Sequence, residues 1–223
     1  MTKQSAVTST SGDENFALVD RLRARRKELG LTMQQVADQA GLSVGFISQI
    51  ERGITVPSLS SLVSVSRVLG LHVSDFLARP KGDKPQTRHD KRPLFSINEN
   101  SLTYERLSST FPGSTINMLI IHEPPGHRSE LTRHDGEELF YILEGELTVE
   151  VDGKQMLLEA GDTLHFDSQQ PHSSWNHTSE QTTILHTCTM DVFGDRIDAD
   201  GNRIGNSEMT KSLTHARHKA PEN

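Results

Sequence analysis

Two hydrophobic periods divide the chain. From Asn15 to about Ala78, apolar residues recur three and four apart. They run Phe16, Val19, Leu22, Leu29; Met33, Val36, Ala37, Ala40; Phe46, Ile47, Ile50; and Leu59, Leu62, Val63, Val65, Val68, Leu69. This spacing predicts amphipathic helices. Gly30, Gly41, Gly53 and Gly70 follow these runs, where a left-handed backbone closes a helix, and Thr32, Ser43 and Ser58 stand where a side chain can cap the next one. A fifth short helix is expected from Ser74, with Phe76 and Leu77 inward. The pattern therefore predicts a compact all-α domain over residues 14–78.

Residues 1–13 are Ser/Thr-rich and aperiodic, and are read as a disordered lead. Residues 79–93 hold three prolines and mixed charge with no apolar face, which predicts a linker. Beyond it the period changes. Thr115–His122, Glu138–Val151 and Thr182–Met190 are rich in β-branched and aromatic residues, and Pro124-Pro125-Gly126, Asp152-Gly153 and Ala160-Gly161-Asp162 punctuate them. Asp152-Gly153, between Leu147–Val151 and Met156–Leu158, predicts a hairpin. Many short strands imply an antiparallel barrel or sandwich over 94–190. Residues 191–223 form a polar extension, expected to be partly disordered. Its Val192–Asp195 and Ile197–Arg203 stretches suit a hairpin or a cover for the barrel mouth. Asp198–Asn202 lacks the distal glutamate of a calcium loop and is read as a solvated turn.

Charge sharpens this division. The whole chain carries −7, but residues 1–80 hold 9 Lys+Arg against 7 Asp+Glu, while residues 81–223 hold 14 against 23. Only the helical part has a basic face for an anionic polymer, and the acidic remainder should sit away from phosphate. Apolar runs such as Met118–Ile121 are far too short to span a bilayer, and the N-terminus lacks a signal-peptide pattern. The one cysteine, Cys188, allows no internal disulfide and suits a reducing compartment, so a cytoplasmic protein is expected.

The segment Leu31-Thr32-Met33-Gln34-Gln35-Val36-Ala37, Gly41-Leu42-Ser43, Ile47-Ser48-Gln49-Ile50-Glu51-Arg52-Gly53, Pro57-Ser58 and Leu62 resembles the XRE-type helix-turn-helix family over residues 15–78. The resemblance implies a lambda-repressor-like five-helix domain whose third helix enters the major groove of double-stranded DNA. Ser43, Val44, Gly45, Ser48 and Gln49 then lie on the reading face. The Gln49 amide suits adenine and Val44 a thymine methyl, while Gln34 and Arg52 suit phosphate. Met33 stands where the family usually has a glutamine, which removes one phosphate contact. The resemblance also implies an Arg26–Glu51 ion pair. One such domain covers little DNA, so two half-sites and a homodimer are expected.

His134-Asp135-Gly136-Glu137-Glu138, with Leu143-Glu144-Gly145-Glu146, resembles the first motif of the cupin family. Gly161-Asp162, Pro171-His172 and Asn176 resemble the second. Together they imply an all-β cupin barrel, a jelly roll, with an internal pocket. Family metal sites use His-x-His, a glutamate and a histidine from the second motif. Here the first histidine is Thr132, leaving His134, Glu138 and His172 as candidate ligands for a divalent metal such as Fe, Zn or Mn. The same side chains equally suit a metal-free pocket that hydrogen-bonds an effector, lined by Thr132, His134, Glu138, Phe140 and His172. Tyr141 and Trp175 are read as packing residues. The acidic Glu138 would suit a cationic effector, and some regulators of this combined type are associated with polyamine or amino-acid metabolism.

Two functions follow. The first is a transcriptional regulator, expected to be a repressor rather than an enzyme, controlled by a small-molecule effector in the barrel. The alternative is a mononuclear Fe(II) cupin oxygenase or epoxidase with a vestigial helix-turn-helix, using His134, Glu138 and His172 for iron. The capped helix with outward Ser43, Val44 and Gln49 favours the regulator, since an enzyme would not need that face.

Overall fold

The structure is a computed structural model and describes residues 12–55, 57–73, 85–97 and 102–201. Among the described residues four α-helices come first: α1 (Gly12–Glu28), α2 (Met33–Ala40), α3 (Val44–Glu51) and α4 (Leu59–Val68). α1 starts two residues inside the expected lead, because a backbone ladder can precede the first apolar residue that pattern reading needs. The expected fifth helix from Ser74 lies outside the described residues, as do residues 1–11, 79–84 and 202–223.

Each junction follows from local chemistry. Thr32 accepts the Gln35 N–H while the Gln35 side chain takes the Thr32 N–H, a reciprocal cap that satisfies two orphan donors. Ser43 caps α3 through the Phe46 N–H, and Ser58 caps α4 through the Ser61 N–H. Gly41 ends α2 at φ +70°, the left-handed conformation that turns the chain sharply into α3. Leu22, Val36, Ala37, Ile47, Ile50, Leu62 and Leu69 form the buried centre. The expected Arg26–Glu51 pair is present as a two-pronged contact of 2.5 and 2.7 Å, with both side chains largely buried. Breaking a pair so placed costs on the order of 3 kcal/mol.

Nine antiparallel strands follow among the described residues: β1 (Leu94–Ser96), β2 (Thr103–Arg106), β3 (Asn117–Glu123), β4 (Glu137–Glu144), β5 (Glu146–Val151), β6 (Lys154–Glu159), β7 (Thr163–Asp167), β8 (His172–Trp175) and β9 (Thr182–Cys188). They form one sheet ordered β1-β2-β3-β9-β4-β7 and a second ordered β6-β5-β8. Phe140, Ile142, Leu147, Val149, Leu158 and Ile184 fill the space between the sheets. The expected run Glu138–Val151 divides at Gly145, whose φ of +82° and closeness to the Gln181 carbonyl leave no room for a side chain. Asp152 and Gly153, at φ +50° and +74°, make the expected two-residue hairpin turn.

The two parts are packed into one body. The apolar cluster of α2–α4 continues without a break into Phe95, Ile97, Leu102, Tyr104, Leu119, Met190, Val192 and Phe193 of the barrel side. Ser58 donates to Glu130 Oε1 from its N–H (3.1 Å) and its hydroxyl (2.8 Å). Gly41 lies so close to Arg133 that a Cβ would come within 2.6 Å of its carbonyl oxygen. Within the expected linker, Arg92 is pinned to Glu105 at 2.9 Å.

The stretch after β9 is less polar than its composition suggests. Met190, Val192 and Phe193 are buried; Phe193 lies edge-on to Phe95 and under the Arg106 guanidinium, which pairs with Asp195 at 2.7 Å. Gly194 packs against the ring of His72, so this segment ties the barrel to the helices. Asp198–Gly201 closes as a turn on Asp198, as expected.

Candidate functional site

The α2–α3 unit presents Gln34, Ser43, Val44, Gly45, Gln49 and Arg52 to solvent, with Ser48 half-buried. Ile47 and Ile50 anchor α3 beneath that face. The Ser43 hydroxyl is engaged as the helix cap, and the Gln34 amide donates to Asp38 at 2.8 Å. A groove separates Ser43, Gly45, Phe46 and Gln49 from the barrel loop Glu130–Arg133 and Pro171. The barrel rim therefore stands directly beside the candidate reading helix, closer than the charge division suggested.

A cavity of about 90 Å³ occupies the barrel lumen. Strand register decides which residues face it. Glu138 opposes Cys188 and Phe140 opposes His186 across β4 and β9, so these four share the inner face, and all line the cavity. Thr132 and His172, exchanging backbone hydrogen bonds, form another wall. Of the five residues expected to bind an effector, Thr132, Glu138, Phe140 and His172 line this cavity. His134 lines a neighbouring groove while aiming Nε2 at Glu138.

Glu138 is the centre of the cluster and is only 4% exposed. His134 Nε2 lies 3.0 Å from Oε1, His186 Nε2 3.6 Å from Oε1, and His172 Nε2 3.9 Å from Oε2. Burial alone would raise this carboxyl, but the charge of His186 and the contact with His134 outweigh it and hold it well below the usual carboxylate range. Burial pushes His172 below the ordinary imidazole range, so that ring stays neutral.

These residues fit a metal. His134 Nδ1 faces the Asp135 carbonyl and His172 Nδ1 the Gln170 carbonyl, so each Nδ1 must donate. Nε2 of both rings then points at the Glu138 carboxylate, and two imidazole nitrogens with one carboxylate oxygen are a donor set that a divalent cation takes. One donor atom each from His134, Glu138 and His172 falls within 4.8 Å of the others, compact enough to share an ion.

Sequence reasoning missed three groups. His186 was not singled out, although its parity with Ile184 and Cys188 in an alternating strand is a usable signal. Glu123, 2% exposed and bonded to His127 at 3.0 Å, also lines the lumen, with Tyr104 nearby. Finally, Ser58, Leu59 and Ser60 of the helical domain form part of the cavity wall, which no local pattern announces.

The helix-turn-helix family model matches residues 22–76, and the cupin domain model matches residues 119–188. The HTH-type transcriptional regulator PuuR of Escherichia coli is 30% identical over 183 residues, covering 81% of this chain and 99% of that protein. The HTH-type transcriptional regulator SutR of Escherichia coli is 24% identical over 178 residues, covering 78% and 96%. A crystal structure of an HTH_3 family transcriptional regulator from Vibrio cholerae superposes with a TM-score of 0.51 at 23% identity, covering 80% of this chain and 97% of that one. PuuR and SutR are transcriptional regulators, not enzymes, which turns the choice away from the oxygenase alternative. No helix among the described residues is long and apolar enough to cross a membrane.

Proposed function

Because the chain belongs to the family of helix-turn-helix transcriptional regulators with a C-terminal cupin domain, we propose that it is a repressor whose operator affinity is set by a small molecule in the barrel lumen. The helical part, about residues 14–78, reads DNA, and the barrel, about 94–190, senses. Gln49 and Val44 contact base edges in the major groove, with Ser43, Gly45 and Ser48 fitting the backbone against the groove wall. Gln34 and Arg52 hold phosphates and set register. Two chains act as a homodimer in the cytoplasm, presenting two reading helices to a palindromic operator.

One observation carries the sensing half of this reading: the lumen is walled partly by Ser58–Ser60, the first turn of α4. An occupant touching Thr132, Glu138, Phe140 and His172 also meets the DNA-binding domain. If its fit differs between two placements of that domain, occupancy shifts the balance between them, which is the requirement for allosteric control. The Ser58–Glu130 contact joins the same cap to the loop flanking α3. Strain at the lumen therefore reaches the reading face directly, without passing through the 79–93 linker. A divalent metal on His134, Glu138 and His172 would present an electrophilic centre for donor atoms of the effector.

The test is retention of sheared genomic DNA from the source organism on the purified chain, followed by sequencing. Enrichment of a short palindrome is expected; uniform retention or none overturns the regulator reading.

A further inference from the structure

His186 lies outside both cupin motifs, yet it is the most anomalous side chain in the lumen. It is 8% exposed, and neither ring nitrogen has a hydrogen-bond partner. Leaving buried polar atoms without hydrogen-bond partners is costly, so an imidazole in this position calls for a partner beyond the Glu138 carboxylate. Its Nε2 stands 3.6 Å from Glu138 Oε1, the oxygen that also faces His134. Packing against Phe140 on the opposite strand, with ring centroids 5.2 Å apart, keeps the ring at the cluster. Meanwhile Thr132, where the motif lacks its first histidine, is buried with its hydroxyl unpartnered.

We propose that His186 is a metal ligand, so that β9 supplies across the sheet the imidazole the first motif lacks at Thr132. A divalent transition-metal ion would be held by the compact His134, Glu138 and His172 group, and His186 Nε2, which stands outside that group but 3.6 Å from Glu138 Oε1, would turn onto it as the fourth donor. Imidazole and carboxylate together suit zinc, manganese, iron or copper, and exclude a soft thiolate-type site, since Cys188 is not among the donors. A six-coordinate ion would keep two positions for oxygen or nitrogen donors of the effector. This deepens the sensor reading of the same lumen and rests on that reading only for its consequence, since metal binding and operator binding are measured separately.

The test uses the full chain stripped of metal. Cu²⁺ is added to the wild type and the nitrogen couplings are counted by electron paramagnetic resonance. Three imidazoles are expected; two would overturn the proposal without needing any variant to fold. In parallel, Zn²⁺ affinity is measured by competition with a chromophoric chelator. His186→Gln should weaken it at least about tenfold, and His186→Gln combined with Thr132→His should regain part of the loss. Unchanged affinity in His186→Gln, or no Zn²⁺ or Cu²⁺ binding by the wild type, sinks the proposal. Intact metal binding without operator enrichment would instead leave the metal site standing and remove the regulator reading.

Discussion

Cys188 shows how far one residue's chemistry depends on its surroundings. The chain's single thiol is 2% exposed, and burial, reinforced by the Glu138 charge, pushes its pKa from 9.0 up to about 12. The thiolate fraction near neutral pH falls by about a thousandfold relative to an open thiol. Maleimide labelling at pH 8 should therefore be slow in the native protein and fast in urea; equal rates would mean the lumen is open. Glu105 is a second such case. Burial would raise its carboxyl, but hydrogen bonds from His122 and Arg92 outweigh this and hold it below 4.5. In the window below 4.5 the unfolded chain binds more protons at this site. Stability is therefore full above that pH and is lost as pH falls through the depressed folded value. Replacing Glu105 with Gln should flatten the fall in melting temperature between pH 6 and 3, whereas a parallel profile would discard the pair as a pH-dependent contributor.

At the scale of elements, two glycines with nearly the same φ have different work. Gly153 closes the β5–β6 hairpin at +74° with open space where a Cβ would stand. Gly41 joins α2 to α3 at +70°, with the Arg133 carbonyl 2.6 Å from that position. Gly153→Ala should cost only the left-handed penalty, about 1–2 kcal/mol. Gly41→Ala should cost that and also force the barrel rim away from the helix-turn-helix. Chemical denaturation of both variants separates the two contributions, and equal losses would mean the Gly41–Arg133 contact is slack in solution. α4 likewise works twice, since Ser58 caps its own helix and bonds Glu130 of the barrel. A residue that local rules assign to helix capping is also part of the joint between the helices and the barrel.

For the whole molecule, the apolar cluster that runs from Leu22 to Phe193 is expected to couple the unfolding of helices and barrel. Calorimetry should give a single unfolding transition; two well-separated ones would show that the domains melt independently. On DNA, Gln49→Ala should weaken operator binding by about 1–3 kcal/mol per half-site and relax preference at one base step. Fluorescence anisotropy with operator and single-base variants checks this. Unchanged affinity and specificity would remove Gln49 from the reading set.

The sequence alone determined what depends on spacing within a few residues. The caps at Thr32, Ser43 and Ser58, the glycine closures and the Asp152-Gly153 turn were all legible, and the His134, Glu138 and His172 cluster was legible through the resemblance to the cupin motifs. So was the Arg26–Glu51 pair, through the family pattern. Local periodicity sets which face of a helix or strand turns inward, and motif spacing carries the metal-ligand residue types. Neither says what the inward face will meet. His186 joined Glu138 only when β9 paired with β4, an alignment across 48 residues of chain between the two side chains. Ser58 reached Glu130 across 72 residues, and Met190, Val192 and Phe193 became core only against β1, β2 and the helices. Those contacts are chosen by competition among all apolar surfaces for burial and all buried polar groups for partners, and only the tertiary structure records the outcome.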